Sequence, residues 1–379
     1  TMSFPSAFLD ELVSRNPIDE VIGQYVHLKR QGGKLFGLCP FHTEKTPSFS
    51  VSPDKQLYYC FGCHKGGDVI RFVEEEEGLD YPDAVRFLAR RVGLEVPEDG
   101  NQSSTYRRQE RLRALCKDAA RHYRSQLFAP VGEAARAYLV RRGLSSKTVA
   151  RFGLGFAPGG WNGLEEAMRE KAYEKEELLA GGLLLKGQKG GVYDRFRNRL
   201  MFPIIDVSGN VIGFGGRVMD DSKPKYLNSP ENLIFNKRKN LFALNIAKNS
   251  KQGRIILTEG YMDAIALHQY GFDCAVASLG TSLTEEHALI LQKYTKQVVI
   301  TYDGDQAGQD ATRRAISLLE KSGVEIRVLR MQGAKDPDEF LKQYGPDRFR
   351  LLLDQSENHA AYGLESIRRK FDLSRDDQR

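Results

Sequence analysis

The chain has 379 residues, 41% hydrophobic and 28% charged, with a formal net charge of +6. That length accommodates about two or three domains, each with its own core, and no apolar run approaches the roughly 20 residues of a bilayer span, so a membrane partner is not expected. The basic charge is clustered: residues 106–151 hold twelve Lys/Arg against three Asp/Glu, and 195–239 hold nine against four, blocks that suit either a polyanion or solvated helix faces.

The N-terminus has no basic region followed by a long apolar stretch, so a secretory signal is not expected. There are five cysteines, three of them between Cys39 and Cys63. In a signal-less chain this favours a metal site over disulfides. Cys116 and Cys274 stand apart and read as small core residues.

Residues 6–25 read as helical, with a second start at Pro17. Short strands are predicted over 26–30, 35–38, 48–51 and 57–60. A helix behind Asp68 covers 69–76, and another covers 81–92. Cys39-x2-His42 is separated by seventeen residues from Cys60-x2-Cys63. Each pair fits a tight knuckle, and the intervening hairpin brings the two knuckles together. Three thiolates and one imidazole make a closed tetrahedral Zn²⁺ site of structural type, with no position open for catalysis. His64 breaks the ligand spacing and reads as a surface residue. Phe36, Phe41, Phe49, Tyr58, Tyr59 and Phe61 lie among Lys34, Lys45, Lys55 and Lys65. Such aromatics stack single-stranded bases or form the core of a small domain.

Residues 97–105 contain nothing to anchor them in a core and read as a linker. Basic helices are predicted over 106–128, 134–142 and 146–152, the last capped by Ser145. Helices over 161–172 and 175–181 follow. In Arg195-Phe196-Arg197-Asn198-Arg199, strand alternation would put three guanidinium groups on one face. Their mutual repulsion makes phosphate a better explanation than packing. Arg217, after Gly-Phe-Gly-Gly, then Lys225 and Lys237, extend a surface suited to nucleic acid and a nucleoside triphosphate.

From residue 253 strands (254–258, 275–277, 297–301, 325–329) alternate with helices (262–270, 284–294, 306–321). This predicts a mostly parallel sheet with helices on its faces. Glu259 and Asp263 follow the first strand, and Asp303-Gly304-Asp305 the third, at the strand ends where open α/β sheets keep their working residues. Gly304 accounts for a tight bend between the two acids. No basic side chain beside them in sequence neutralises them, so Glu259, Asp303 and Asp305 suit Mg²⁺ or Mn²⁺. Two such ions would activate an attacking hydroxyl and stabilise leaving pyrophosphate. Asp336 and Asp338 either join this cluster or cap a helix over 339–344. No Gly-x4-Gly-Lys motif supports a hydrolytic motor.

Taken in order, the motifs are Cys-x2-His…Cys-x2-Cys, Arg-Phe-Arg-Asn-Arg, Gly-Phe-Gly-Gly-Arg, Lys-Tyr-Leu-Asn-Ser-Pro-Glu, Glu-Gly-Tyr-Met-Asp, Asp-Gly-Asp and Asp-Pro-Asp. Over its whole length the chain closely resembles bacterial replicative DNA primases of the DnaG type. The expected fold is then α+β and multidomain. It comprises a zinc ribbon domain over 1–96, the linker 97–105 and a mixed α/β basic subdomain over 106–252. A toprim subdomain with a Rossmann-like parallel sheet follows over 253–335, then a short helical C-terminal segment over 336–379. The resemblance implies a DNA-dependent RNA polymerase that makes short RNA primers on single-stranded DNA from ribonucleoside triphosphates, in the bacterial cytoplasm at the replication fork. Carried over by motif, Cys39, His42, Cys60 and Cys63 hold one structural zinc. Glu259, Asp303 and Asp305 hold the catalytic Mg²⁺ or Mn²⁺, two or more ions. Asp263, Asp336 and Asp338 complete the acidic site. Arg151, Arg195, Arg197, Arg199, Arg217 and Lys225 form a basic ridge. Family members usually continue into a domain that binds the replicative helicase; here the chain is expected to be a fragment ending in the charged tail 372–379. Two alternatives remain: another toprim enzyme (a nuclease, or a topoisomerase needing a tyrosine on a further large domain) and a non-catalytic module that binds single-stranded DNA.

Overall fold

The computed structural model describes residues 4–97, 102–187, 190–331 and 333–362. Residues 98–101 of the expected linker and the tail 372–379 lie outside the described residues. The chain forms two compact units, the first ending at Tyr106 and the second beginning at Arg107.

The first unit is built on an antiparallel sheet whose strands neighbour one another in sequence order. They are Lys29–Gln31, Lys34–Gly37, Phe49–Ser52, Leu57–Cys60 and Gly66–Gly67. Helices Ser6–Arg15, Ile18–Ile22, Val69–Glu77 and Tyr81–Arg91 accompany it. Asp68 and Asp80 start the last two by accepting the N–H of Arg71 and Asp83, which satisfies one of the donors a helix start leaves unpaired. Leu12, Ile18, Ile22, Phe49, Tyr58 and Phe72 are sealed in one core. Tyr58 stacks on Phe49 with ring centroids 5.3 Å apart and meets Phe72 edge-on at 5.6 Å. Burying each such ring stabilises the unit by about 1.5–3 kcal/mol.

The helix expected from 106 runs over Gln102–Phe128. Residues 102–105, read from sequence as linker, are therefore helical. Once a long helix is nucleated, adding a polar residue to its end requires no further nucleation, so the lack of apolar residues did not stop it.

The second unit contains two larger sheets. One is antiparallel, in the order Tyr226–Asn228, Val211–Val218, Arg199–Ile205, Gly155–Ala157. The other has the order Ala275–Ala277, Ile255–Thr258, Gln297–Ile300, Glu325–Val328, Glu357–Asn358; the first four are parallel and the last antiparallel. Tyr261–Gln269, Glu285–Tyr294 and Gln306–Glu320 are the helices between the parallel strands, as the alternation predicted. Glu357–Asn358 is too short to leave a periodic signal. The helix expected over 339–344 is the first half of Pro337–Asp354, which breaks at Gly345 (φ 76°) ahead of Pro346.

The arginine segment departs from expectation. Its strand begins only at Arg199, and the preceding Asn198 is left-handed, with φ 51°. Alternation of side chains requires continuous extended backbone, so Arg195, Arg197 and Arg199 do not share a strand face. Arg199 is buried and donates from Nη1 to the carbonyls of Gly216 (3.1 Å) and Pro224 (3.0 Å).

One core joins the two halves: Leu200, Phe202 and Ile204 of the antiparallel sheet pack with Tyr261, Met262 and Ile265 of the helix Tyr261–Gln269 and with Ala277 of the parallel sheet. The Tyr261 ring lies 5.5 Å from that of Phe202 and 4.8 Å from that of Phe242. Its hydroxyl donates to Asn228 Oδ1 (2.8 Å), and Asn228 Nδ2 donates to the Leu279 carbonyl (2.8 Å). Phe242 exchanges two backbone hydrogen bonds with Ala277 (2.8 and 3.1 Å), covering the edge of the parallel sheet that would otherwise recruit another strand.

Candidate metal centres and nucleic-acid interface

Cys39 and His42 come from the turn after Lys34–Gly37, and Cys60 and Cys63 from the turn that ends Leu57–Cys60. Their ligand atoms all lie within 4.8 Å of one another. Cys39 Sγ is 3.8 Å from Cys63 Sγ, and Cys60 Sγ is 3.8 Å from His42 Nδ1. Zn–S bonds of about 2.3 Å in a tetrahedron require sulfurs about 3.8 Å apart, so the donor set fits zinc in both chemistry and span. The other ring nitrogen of His42, Nε2, faces Glu44 Oε2 at 3.4 Å. His64 is exposed, outside the cluster, with Nδ1 3.0 Å from the Tyr59 hydroxyl. The aromatics divide between two roles. Phe41, Phe49 and Tyr58 pack around Phe72. Tyr59 and Phe61 are exposed and, with Lys34, Lys55 and His64, line a shallow groove on the sheet. Cys116 and Cys274 are buried core residues.

In the second unit, strand register decides which carboxylates meet. Leu257 pairs with Ile300 and Ile300 with Val328, so the chain leaves adjacent strands at one edge carrying Glu259, then Asp303 and Asp305. The Asp303 N–H donates to Glu259 Oε1 at 3.2 Å. Asp305 caps the helix Gln306–Glu320, with Oδ1 accepting the Gly308 N–H at 2.8 Å. Asp336 caps Pro337–Asp354 through the Glu339 N–H, also at 2.8 Å. Asp338 is buried and turns to cations: Arg142 Nη2 at 2.5 Å and Lys342 Nζ at 2.8 Å. Asp336 thus takes the capping role open to it, whereas Asp338 makes ion pairs that neither expected role, ligand nor cap, included.

The acids perturb one another. Burial, then the charges of Glu259, Asp336 and Asp305, pushes the Asp303 carboxyl up to about 6. Burial, then Asp336, Asp303 and Asp338, pushes Asp263 up to about 8. Glu259 is also raised, first by burial and further by Asp305, against the stabilising Asp303 N–H. Carboxylates that disfavour one another's charge, with oxygen as the only donor, fit a hard divalent cation. Among the described residues no second group of three or more His, Cys, Asp or Glu is gathered as closely as the cysteine–histidine cluster.

The basic residues take different positions. Arg197 stacks on Trp161 (3.9 Å to the ring centroid) and faces Tyr193 (4.8 Å). Arg195 donates to the Asn228 carbonyl at 3.0 Å. Arg217 is buried between Tyr138 and Tyr226, 5.5 Å from each. Among the described residues Arg195 Nε, Arg197 Nη1 and Arg217 Nε are buried without a hydrogen-bond partner. Arg151 ends the helix Ser146–Arg151, exposed, and Lys225 is exposed beside the strand Tyr226–Asn228. Lys237 opens the short 3-10 helix Lys237–Lys239, and the carbonyls of Lys237 and Asn240 receive the buried His287 Nε2–H at 2.8 and 3.0 Å. Sequence reading missed Glu44, Arg142, Trp161 and Gly308. Only Glu44, two residues past a ligand, carried a signal that spacing exposes.

Three families match the chain: CHC2 zinc finger over 4–104, the N-terminal domain of the DNA primase catalytic core over 122–248, and Toprim-like over 256–341. It is 46% identical over 354 residues to a DNA primase of Clostridium acetobutylicum, covering 92% of this chain and 59% of that protein. To the DNA primase of Escherichia coli K12 it is 41% identical over 383 residues, covering 99% and 66%. The chain thus spans 59–66% of the length of these curated relatives. Among solved structures, the zinc-binding and RNA polymerase domains of the Aquifex aeolicus primase match with a TM-score of 0.64 and 38% identity, over 98% of this chain and 91% of that one. A DnaG primase catalytic domain bound to ssDNA matches with a TM-score of 0.66 and 39% identity, over 72% and 87%. No helix among the described residues is long and apolar enough to cross a membrane.

Proposed function

The chain belongs to the DNA primase family, and on that premise we propose that it polymerises ribonucleotides into short RNA primers on a single-stranded DNA template. The observation that carries this reading is the meeting, within one unit, of a carboxylate cluster at parallel strand ends with buried guanidinium nitrogens that lack partners. Polymerisation needs both: oxygen ligands for metal and fixed cations for phosphate.

Glu259, Asp303 and Asp305 would hold Mg²⁺ or Mn²⁺, with Asp263 and Asp336 alongside. When bound, such ions favour deprotonation of the attacking hydroxyl and neutralise charge on the phosphates. The chain's own part is positioning. Arg197, stiffened by Trp161 and Tyr193, offers a preoriented guanidinium to a phosphate. Arg195 and Arg217 present further donors, and Arg151, Lys225 and Lys237 add charge to the template path. Arg199, already committed to two carbonyls, supports the strand. In the first unit Tyr59 and Phe61, flanked by Lys34 and Lys55, suit stacked bases. The proposed partners are single-stranded DNA, ribonucleoside triphosphates, the RNA product and, in the wider replication assembly of a bacterial cytoplasm, the replicative helicase.

The test is synthesis by the full chain on single-stranded DNA with labelled ribonucleotides and Mg²⁺ or Mn²⁺. RNA product is expected, and Asp303→Ala is expected to abolish it while template binding persists. Metal-dependent DNA cleavage without triphosphates would favour a toprim nuclease instead. Binding without product, in both the parent and Asp303→Ala, would favour a non-catalytic module.

A further inference from the structure

One carboxylate beside the zinc cluster makes contacts that no ligand count requires. Glu44 Oε1 accepts the Cys39 N–H at 2.7 Å and the Ser48 N–H at 3.1 Å. Its Oε2 accepts the Ser48 hydroxyl and lies 3.4 Å from His42 Nε2. Ser48 Oγ in turn sits 3.3 Å from Cys60 Sγ, and the Ser48 carbonyl receives the Phe61 N–H at 2.9 Å. The Glu44 side chain is only 10% exposed. Through these links a single side chain touches the backbone of one ligand, the ring of a second and, by way of Ser48, the sulfur of a third. It also ties the first knuckle to the second across the hairpin.

A carboxylate here needs explanation. Zinc with three thiolates and a neutral imidazole already carries net negative charge, so a further, largely buried anion is electrostatically unfavourable. It is tolerated because both oxygens accept from donors. Because those oxygens are occupied, Glu44 does not compete as a ligand. The faces of the His42 ring divide in the same way: Nδ1 points at Cys60 Sγ, and Nε2 points at Glu44. A hydrogen on Nε2 leaves the Nδ1 lone pair free for metal, and a carboxylate partner makes that nitrogen a stronger donor. The ring and Ser48 lie close against Gly62, where a Cβ would meet His42 Nε2 at 2.6 Å and Ser48 Oγ at 2.9 Å, so this packing requires a glycine there.

We propose that Glu44, with Ser48 as its relay, is a positioning residue of the zinc site: it fixes the His42 ring and the Cys39 and Cys60 geometry, and so sets how firmly the metal is kept. The inference rests on the zinc finger alone and stands or falls independently of the polymerase reading.

The experiment uses the zinc-loaded full chain, a chromogenic chelator in excess, and a parallel cobalt-substituted sample. Glu44→Gln places an amide NH₂ where a carboxylate oxygen accepts, so at least one of the Cys39, Ser48 or His42 donors faces another donor. Zinc loss to the chelator is expected to be about 10–100-fold easier. The visible cobalt bands should change in position or intensity as the imidazole reorients, a signature that mere loosening of the fold would not produce. Ser48→Ala keeps the contacts to Cys39 and His42 and is expected to give a smaller gain in zinc loss. Zinc retention at the parent rate together with an unchanged cobalt spectrum in Glu44→Gln overturns the proposal. Should Glu44→Gln fail to fold, Ser48→Ala decides: parental retention and spectrum overturn the relay, and faster loss supports it.

Discussion

Gly308→Ala provides the sharpest test of how the acidic centre is built. Gly308 is the third residue of the helix Gln306–Glu320, a position where alanine ordinarily favours the helix by up to about 1 kcal/mol. Here a Cβ would lie 2.1 Å from the Asp303 carbonyl oxygen and 2.8 Å from its carbonyl carbon. A carbon next to that oxygen keeps about 3 Å, so Asp303 and the helix start must separate by about 1 Å, the difference of those two distances. The Gly308 N–H also holds Asp305, so the strain reaches both acids. Overpacking costs about 1–3 kcal/mol, partly offset by helix propensity, which leaves the fold intact. A displacement of about 1 Å at a reacting centre costs about 100-fold in rate. Gly304 is the control: a Cβ there meets nothing within 4 Å, so Gly304→Ala should stay within a few-fold of the parent. The assay is primer synthesis across a Mn²⁺ titration, with urea unfolding and template anisotropy measured on the same preparations. Synthesis by Gly308→Ala at the parent level, in a folded protein, would refute the reasoning.

Four further outcomes are expected. Cys60→Ser should lose stoichiometric zinc by metal analysis and destabilise the first unit, whose core includes Cys60, since structural zinc contributes folding free energy directly; unchanged zinc content contradicts the assignment. Arg197→Ala should lower the salt slope of single-stranded DNA binding by about 0.7 for one lost phosphate contact, and an unaltered slope removes Arg197 from the interface. Asn228→Ala, which deletes acceptor and donor for Tyr261 and Leu279, should cost about 1–3 kcal/mol for each group left unpaired, read from urea midpoints; a loss under about 0.5 kcal/mol would mean the amide is replaceable by water. His268 donates to the Ala275 carbonyl at 2.8 Å, and burial pushes its imidazole down to about 4 from 6.5. Between those values the unfolded chain binds the proton and the folded one does not, so stability falls as pH drops through the window, by about 3 kcal/mol at most. His268→Gln, which retains a donor for that carbonyl, should flatten the fall; an identical pH profile would exclude His268 as its source.

Zinc ligands and strand-end acids were legible because their chemistry forces short, fixed spacings, and the parallel sheet because β-branched runs and amphipathic helices alternate at regular intervals. What escaped depended on conformation or on distant partners. The arginine face was lost to one left-handed residue, Asn198, which breaks an alternation the residue types suggest. The bend between Asp303 and Asp305 drew attention to Gly304, although the glycine pressed against backbone is Gly308. Asp336 and Asp338 looked equivalent by type and spacing, yet Asp338 meets Arg142, 196 positions away in sequence. No local pattern encodes that contact. Glu44 was passed over because a glutamate in a polar turn normally needs no explanation.

The core shared by the two sheets of the second unit also limits how this architecture can be recombined. Phe202, Tyr261 and Phe242 pack as one group, and the Asn228 amide is fitted on both sides by groups of the parallel half. The boundary at 252/253 is therefore a change of topology rather than a seam. A chimera that grafted another parallel α/β module onto the arginine-bearing sheet would expose Phe202 and leave the Asn228 amide unmatched, unless the incoming module brought equivalents of Tyr261 and the Leu279 carbonyl. Shuffling these halves thus requires their joint surface to be inherited as a set, which keeps the carboxylate edge of the parallel sheet and the arginines of the antiparallel half together.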